Sequence, residues 1–161
     1  MAILPILQFG DPILREKSKR VTALNGSVQT LIDDMIETMQ RANGAGLAAP
    51  QVGKLLRIIV IGIPGQEPFA LVNPEIVKRS GERIVSEGCL SFPGHRADIK
   101  RSVNVTCKAL DRQGREIRIK ASNDLLAQAL EHEIDHLNGV LYIDYLESED
   151  QLQTVTASEQ P

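Results

Sequence analysis

The sequence predicts an α+β domain, with mixed or antiparallel sheets wrapped around one central helix and a further helix toward the N-terminus. Three observations predict it. Five short segments carry the alternation or β-branched richness of strands. Two longer segments repeat apolar residues at helical spacing. The strands run in series and lead into a single long helix, which gives an α+β arrangement.

The first helix is expected over residues 27–43. Val28, Leu31, Ile32, Met35, Ile36 and Met39 fall on one face. Ser27 can cap it, and Asn43-Gly44 ends it at a glycine-rich loop. Strands are expected at 57–63, 69–78, 82–86, 103–110 and 116–120, with Asp111 to Gly114 turning between the last two. Pro93-Gly94 reads as another turn. The central helix lies in "SNDLLAQALEHEIDHLNGV". Leu126, Leu130, Ile134 and Leu137 make its apolar stripe, widened by Leu125 and Ala129. Asn123 is the expected N-cap, with Asp124 in the first turn, and Asn138-Gly139 is the stop.

A chain of 161 residues with 42% hydrophobic content fits one domain, residues 1–161, with a proper core. No apolar run approaches the length of a membrane span. Neither a secretory signal nor a transit peptide is legible at the N-terminus, which points to the cytoplasm and leaves a mature organellar form open. Cys89 and Cys107 are read as free thiols rather than a disulfide. The net charge is only −3, but residues 121–161 contain no Lys or Arg, while 78–120 are rich in both. A solvated basic surface is preferred over an RNA-binding face, because no aromatics are interleaved; no specific nucleic-acid recognition is expected. The tail, 147–161, lacks a sustained apolar stripe and is expected to fray. Deletion after Ser148 is therefore expected to be nearly silent.

The chemistry begins with His132-Glu133-Ile134-Asp135-His136, an HExxH pattern. Residues four apart share a helix face, so the two imidazoles can grip one metal ion, with Glu133 beside it to move protons of a water. The pattern points to metal-assisted hydrolysis and leaves the third ligand open. In the HExxHxxGxxH arrangement the third ligand position is Tyr142, a poor ligand. Glu147 and Glu149 sit on a short polar tail. Cys89, in "SEGCLSFPG", offers a thiolate, which suits Zn(II) or Fe(II). Spacing alone leaves it as a buried free cysteine. A small HExxH endopeptidase and a metal-stabilised binding module without turnover are the competing classes; an intact Glu133 argues against the second.

Three motifs together resemble the signatures of the peptide deformylases. They are Gly44-Ala45-Gly46-Leu47-Ala48-Ala49-Pro50-Gln51, "EGCLS" (87–91) and "HEIDHLNG" (132–139). The start, "LQFGDPILREKSKRV", is also similar to the family's N-terminal strand and turn. The likeness covers residues 3–146. It implies hydrolysis of the formyl group from N-formylmethionyl peptides, with release of formate. It implies one divalent metal ion on Cys89, His132 and His136, Fe(II) in the cell, with Zn(II), Ni(II) or Co(II) as alternatives. Glu133 is implied as general acid and base. The Gln51 side chain and the Leu90 backbone N–H are implied as oxyanion donors. Gly44, Ala45, Gly46 and Gly88 are implied to meet the peptide main chain. Leu125, Gln128 and Ala129, near Arg96, are implied to wall the methionine pocket. Glu87 and Arg101 are implied to form a structural ion pair. A transient ribosome contact is a further implication, and a membrane contact is not. Glu131 stands where the family usually has Gln, which places an added negative charge near the site.

Overall fold

Helix α1 (Gly26–Arg41) starts one residue earlier than the pattern suggests, because Asn25 is its cap: the Asn25 side chain accepts the Val28 N–H at 3.1 Å. Ser27, the expected cap, instead donates its hydroxyl to Asn25 Oδ1. The apolar face, Val28, Leu31, Ile32, Met35 and Met39, is buried. The computed structural model describes residues 2–155.

Two antiparallel sheets follow. The larger contains β1 (Gly46–Ala48), β2 (Ile58–Ile61), β3 (Phe69–Ser80), β6 (Asn104–Leu110) and β7 (Glu116–Ser122), in the order β1-β2-β3-β6-β7. The smaller contains β4 (Arg83–Cys89), β5 (Phe92–Arg101) and β8 (Gln153–Thr154), in the order β4-β5-β8. Helix α2 (Leu125–Leu137) is the second helix.

The run Ile58-Ile59-Val60-Ile61 is fully buried, and the reason is a filled face on either side. Ile58 and Val60 pack with Met35 and Met39 of α1, while Ile59 and Ile61 pack with Leu130, Ile134 and Leu137 of α2. A third apolar cluster, Val85, Cys89, Ala97, Ile99 and Tyr142, holds the smaller sheet. Helix α2 thus sits against the larger sheet, with the smaller one closing over the end that carries its polar residues.

Three strands were invisible to the pattern. β1 and β8 are too short for any period. β5 alternates Ala97, Ile99 and Arg101 inward, and an inward arginine hides the alternation. The tail departs from the expected fraying as far as Val155. Ser148 caps a 3-10 turn (Glu149–Gln151), β8 pairs with β5, and Leu152 packs on the third cluster. The part of the tail over 156–161 lies outside the described residues. Among the described residues, no helix is long and apolar enough to cross a membrane.

Candidate active site

Helix α2 delivers the HExxH side chains, and its two ends fix their register. Asp124, not Asn123, is the N-cap, accepting the Ala127 N–H at 2.9 Å. Asn123 takes the left-handed conformation (φ 51°) that turns the chain off the preceding strand, leaving the extended Asp124 to cap. At the other end Gly139 has φ 75°, and a Cβ there would meet the Arg15 carbonyl oxygen at 2.5 Å. Only glycine fits this stop.

Both histidines are buried, as are Glu133 and Cys89. Cys89 Sγ, at the end of β4, lies 3.3 Å from His136 Nε2. One donor atom from each of Cys89, His132 and His136 falls within 4.8 Å of the others. Strand β4 also brings Glu87, whose Oε1 meets His132 Nδ1 in a short contact. That contact leaves His132 Nε2 for the site, 3.9 Å from Glu133 Oε2. Arg101 grips the same carboxylate with two hydrogen bonds, 2.9 Å from Nε and 2.6 Å from Nη2. Its Nη1 reaches Asp135 at 2.8 Å, and Tyr145 donates to the same Asp135 oxygen at 2.7 Å. Sequence reasoning found the Glu87–Arg101 pair but missed Asp135 and Tyr145, which bear no motif of their own.

Electrostatics follow from burial and these partners. Burial opposes the charge on Glu87, yet His132 and Arg101 outweigh it and hold the carboxyl at about 2. Burial likewise opposes a charged His132, but Glu87 and Glu133 raise it well above the imidazole range. His136 is pushed well below it by burial and by His132. Burial pushes Glu133 up to about 7; a nearby cation would pull it down.

The donor set fits a metal ion. A thiol and two imidazoles converge, and among the described residues the buried His136 Nδ1 and Glu133 Oε1 have no hydrogen-bond partner. A buried atom without a partner is costly, which favours a ligand or water at Glu133. Tyr142 does not join the set: its buried ring packs 5.9 Å from Phe9, and its hydroxyl has no partner among the described residues. Glu147 and Glu149 are exposed and outside the cluster. The ligand completions of the competing endopeptidase arrangements are therefore absent from this site.

An open cavity of about 110 Å³ borders the cluster. Gly44, Ala45, Gly46 and Gln51 line one side, and Gly88, Cys89, Leu90 and Arg96 another. Leu125, Gln128, Ala129, His132 and Glu133 of α2 form the floor. Every residue expected at the site lines this cavity except His136, which joins Cys89 and His132 in the cluster beside it. Gln51 sits in a short 3-10 turn (Ala49–Val52) with Oε1 held by the Ala48 N–H at 2.9 Å. Its Nε2 is thereby aimed at the site, 3.0 Å from Ser91 Oγ and 3.5 Å from Cys89 Sγ. Ser86, not anticipated from sequence, also lines the cavity.

The glycines of the loop do more than admit a peptide. A Cβ on Gly44 would lie 2.7 Å from Leu90 Cδ1, and one on Gly46 would lie 2.7 Å from Glu133 Oε2. They make room for the site's own side chains. Glu131 accepts the Ser102 N–H and hydroxyl at 2.7 and 2.9 Å, with Arg79 at 3.7 Å. None of these residues lines the cavity.

The polypeptide deformylase family model matches residues 3–152. The chain belongs to this family. A peptide deformylase of Dehalococcoides mccartyi (strain CBDB1) is 56% identical over 156 residues, covering 96% of this chain and 93% of the relative. Among solved structures, a peptide deformylase from Legionella pneumophila superposes with a TM-score of 0.89 at 48% identity, covering 93% of this chain and 89% of the other. One from Ehrlichia chaffeensis in complex with actinonin gives 0.89 at 40%, covering 94% and 92%. The α+β architecture, with two helices and antiparallel sheets, is that of the deformylases.

Proposed function

We propose that this deformylase removes the formyl group from the N-terminal formylmethionine of nascent polypeptides, and that residues 1–161 act as one catalytic domain. The observation that carries the residue-level assignment is the convergence of Cys89, His132 and His136 beside a cavity whose floor includes the unpartnered carboxylate of Glu133.

Cys89, His132 and His136 would hold one divalent ion, and Glu87 orients His132 from behind. Such an ion supplies Lewis acidity, acidifying a water and polarising a carbonyl. Glu133 takes the proton from the water that attacks the formyl carbon and later returns a proton to the departing amine. Gln51 Nε2 and the Leu90 N–H donate to the oxyanion that develops on the formyl oxygen. Gln51 reaches that position without rearranging, because Ala48 already clamps its other end.

The peptide docks as an added strand. Both strands flanking the cavity, β1 and β4, are edge strands of their sheets, so each has a free row of main-chain groups. Main-chain pairing ignores side chains, which suits an enzyme that processes many proteins. The methionine side chain enters between Leu125, Gln128 and Ala129, near Arg96.

The metal in the cell is assigned as Fe(II), on the match of a thiolate and two imidazoles to that ion; Zn(II), Ni(II) and Co(II) also suit the set. Anaerobic purification followed by metal analysis tests it. The compartment is assigned as the cytoplasm. Any transient ribosome contact is assigned to the basic middle of the chain, for example Lys78 and Lys100, since the tail carries only negative charge. Co-sedimentation with ribosomes at two salt concentrations tests that. The deciding assay for function is formate release from formyl-Met-Ala-Ser against an acetylated control. Formate from the first alone is expected; cleavage of internal peptide bonds would favour an endopeptidase instead.

A further inference from the structure

We propose that the C-terminal strand β8 is a positioning element for substrate, acting through Arg96; this rests on the deformylase function. Strand β5 has β4 along one edge and, among the described residues, the two residues of β8 at its other edge. The register pairs His95 with Thr154 and Arg96 with Gln153. Val155 donates its N–H to the Gly94 carbonyl at 3.0 Å. Hydrogen-bonded and non-bonded pairs alternate along an antiparallel ladder, so Gln153–Arg96 is the next hydrogen-bonded pair. The tail therefore grips the backbone of a residue that lines the cavity.

The Arg96 side chain passes that grip on. Its Nε donates to Ser86 Oγ and its Nη2 to the Ser86 carbonyl, both at 3.0 Å. The same carbonyl accepts from Gln128 Nε2 at 3.1 Å. Ser86 thus ties β4, β5 and α2 together at the cavity mouth, and all three residues line it. The guanidinium lies over Gly88, where a Cβ would come within 3.3 Å of Nη1. Nη1 faces the stretch of β4 on which an added peptide strand would lie.

The tail is anchored before it reaches β5. Gln151 Oε1 accepts the Glu147 N–H at 2.6 Å, and Leu152 packs in the cluster that contains Cys89 and Tyr142. Without β8 the 95–96 edge is open, and Arg96 must be ordered anew each time a peptide binds. This reverses the expectation that residues after Ser148 are dispensable.

Three variants test the idea: deletion of 152–161, Gln153→Pro, which removes the N–H donated to Arg96, and Gln153→Ala, which keeps it. For the first two, KM for formyl-Met-Ala-Ser should rise about three- to ten-fold, the weight of one hydrogen bond, with kcat nearly unchanged. Gln153→Ala should match the wild type. In an Arg96→Ala background the deletion should add no further rise, because the tail acts through that residue. An unchanged KM on deletion would overturn the proposal. So would an equal rise with and without Arg96, which would mark a general loosening. Calorimetric binding of the product Met-Ala-Ser, expected to weaken in the same variants, reads the effect without turnover. A wild type that binds this peptide but releases no formate would sink the assigned function while leaving the tail's role measurable.

Discussion

The two helices bury their inner faces by opposite means. Helix α1 buries mostly hydrocarbon, and its single buried polar residue, Thr38, donates to the Asp34 carbonyl of its own helix and accepts the Leu4 N–H of the N-terminal segment. Helix α2 buries Glu131, His132, Glu133 and His136. A buried methionine needs only matching volume, whereas a buried ionisable group needs a partner of its own. Those partners come from other elements: Ser102 for Glu131, Glu87 and Arg101 behind His132, and Cys89 beside His136. Among the described residues, Glu133 keeps a buried carboxylate oxygen without a partner. Glu131, His132 and His136 each recruit a distant residue, and Glu133 is left as the group proposed above to move protons.

The sharpest way to break this contrast is Cys89→Ser. An alkoxide forms far less readily than a thiolate, so this variant should lose bound metal and most activity; full metal occupancy with full turnover would remove Cys89 from the site. Glu133→Ala should keep its metal while formate release falls about 10²-fold or more. Metal analysis beside the rate separates the two, since lost metal would make Glu133 a ligand.

Stability tests the same comparison. Met35→Ala in α1 should cost about 2–5 kcal/mol through its cavity and leave metal affinity unchanged. Arg101→Ala should cost a similar amount, about 3–5 kcal/mol, by stranding the Glu87 charge, and should also weaken metal binding about 10- to 100-fold. Denaturant melts paired with metal titrations check both. Equal metal affinity in the two variants would dissolve the distinction.

Acid should find α2 first. Glu87 is held at about 2 against an ordinary 4.5, so its contribution is full above 4.5 and is lost as pH falls toward 2. Metal-free protein should therefore lose stability across that window more steeply than its Glu87→Gln variant; parallel curves would deny Glu87 this role. The smallest effect is expected for Glu131→Gln. An amide can still accept the Ser102 N–H and donate to its hydroxyl, losing only a contact with the exposed Arg79. A change under about 1 kcal/mol in melting and no change in turnover are expected.

The contrast also explains what the sequence could disclose. Both helices were legible from period alone, because Val28 to Met39 and Leu126 to Leu137 repeat at helical spacing. His132, Glu133 and His136 were legible because one helix turn brings them together. Cys89, Gln51 and Leu90 lie far from that helix in the chain, so only the likeness of three motifs to a family joined them. Asp135, Tyr145 and Ser86 escaped notice, since a residue whose role is to hold another carries no spacing signal. Strand β5 escaped for a related reason, its buried Arg101 reading as a break in an apolar alternation.

Gly46 has a consequence beyond its own strand. With Glu133 Oε2 only 2.7 Å from where a Cβ would stand, the loop and this carboxylate share one small volume. A library randomised over residues 44–46 and selected for turnover would thus explore position 45 and stall at 46. The third residue of that loop works as a mould, and what it casts is the posture of a carboxylate on a helix 87 residues further along the chain.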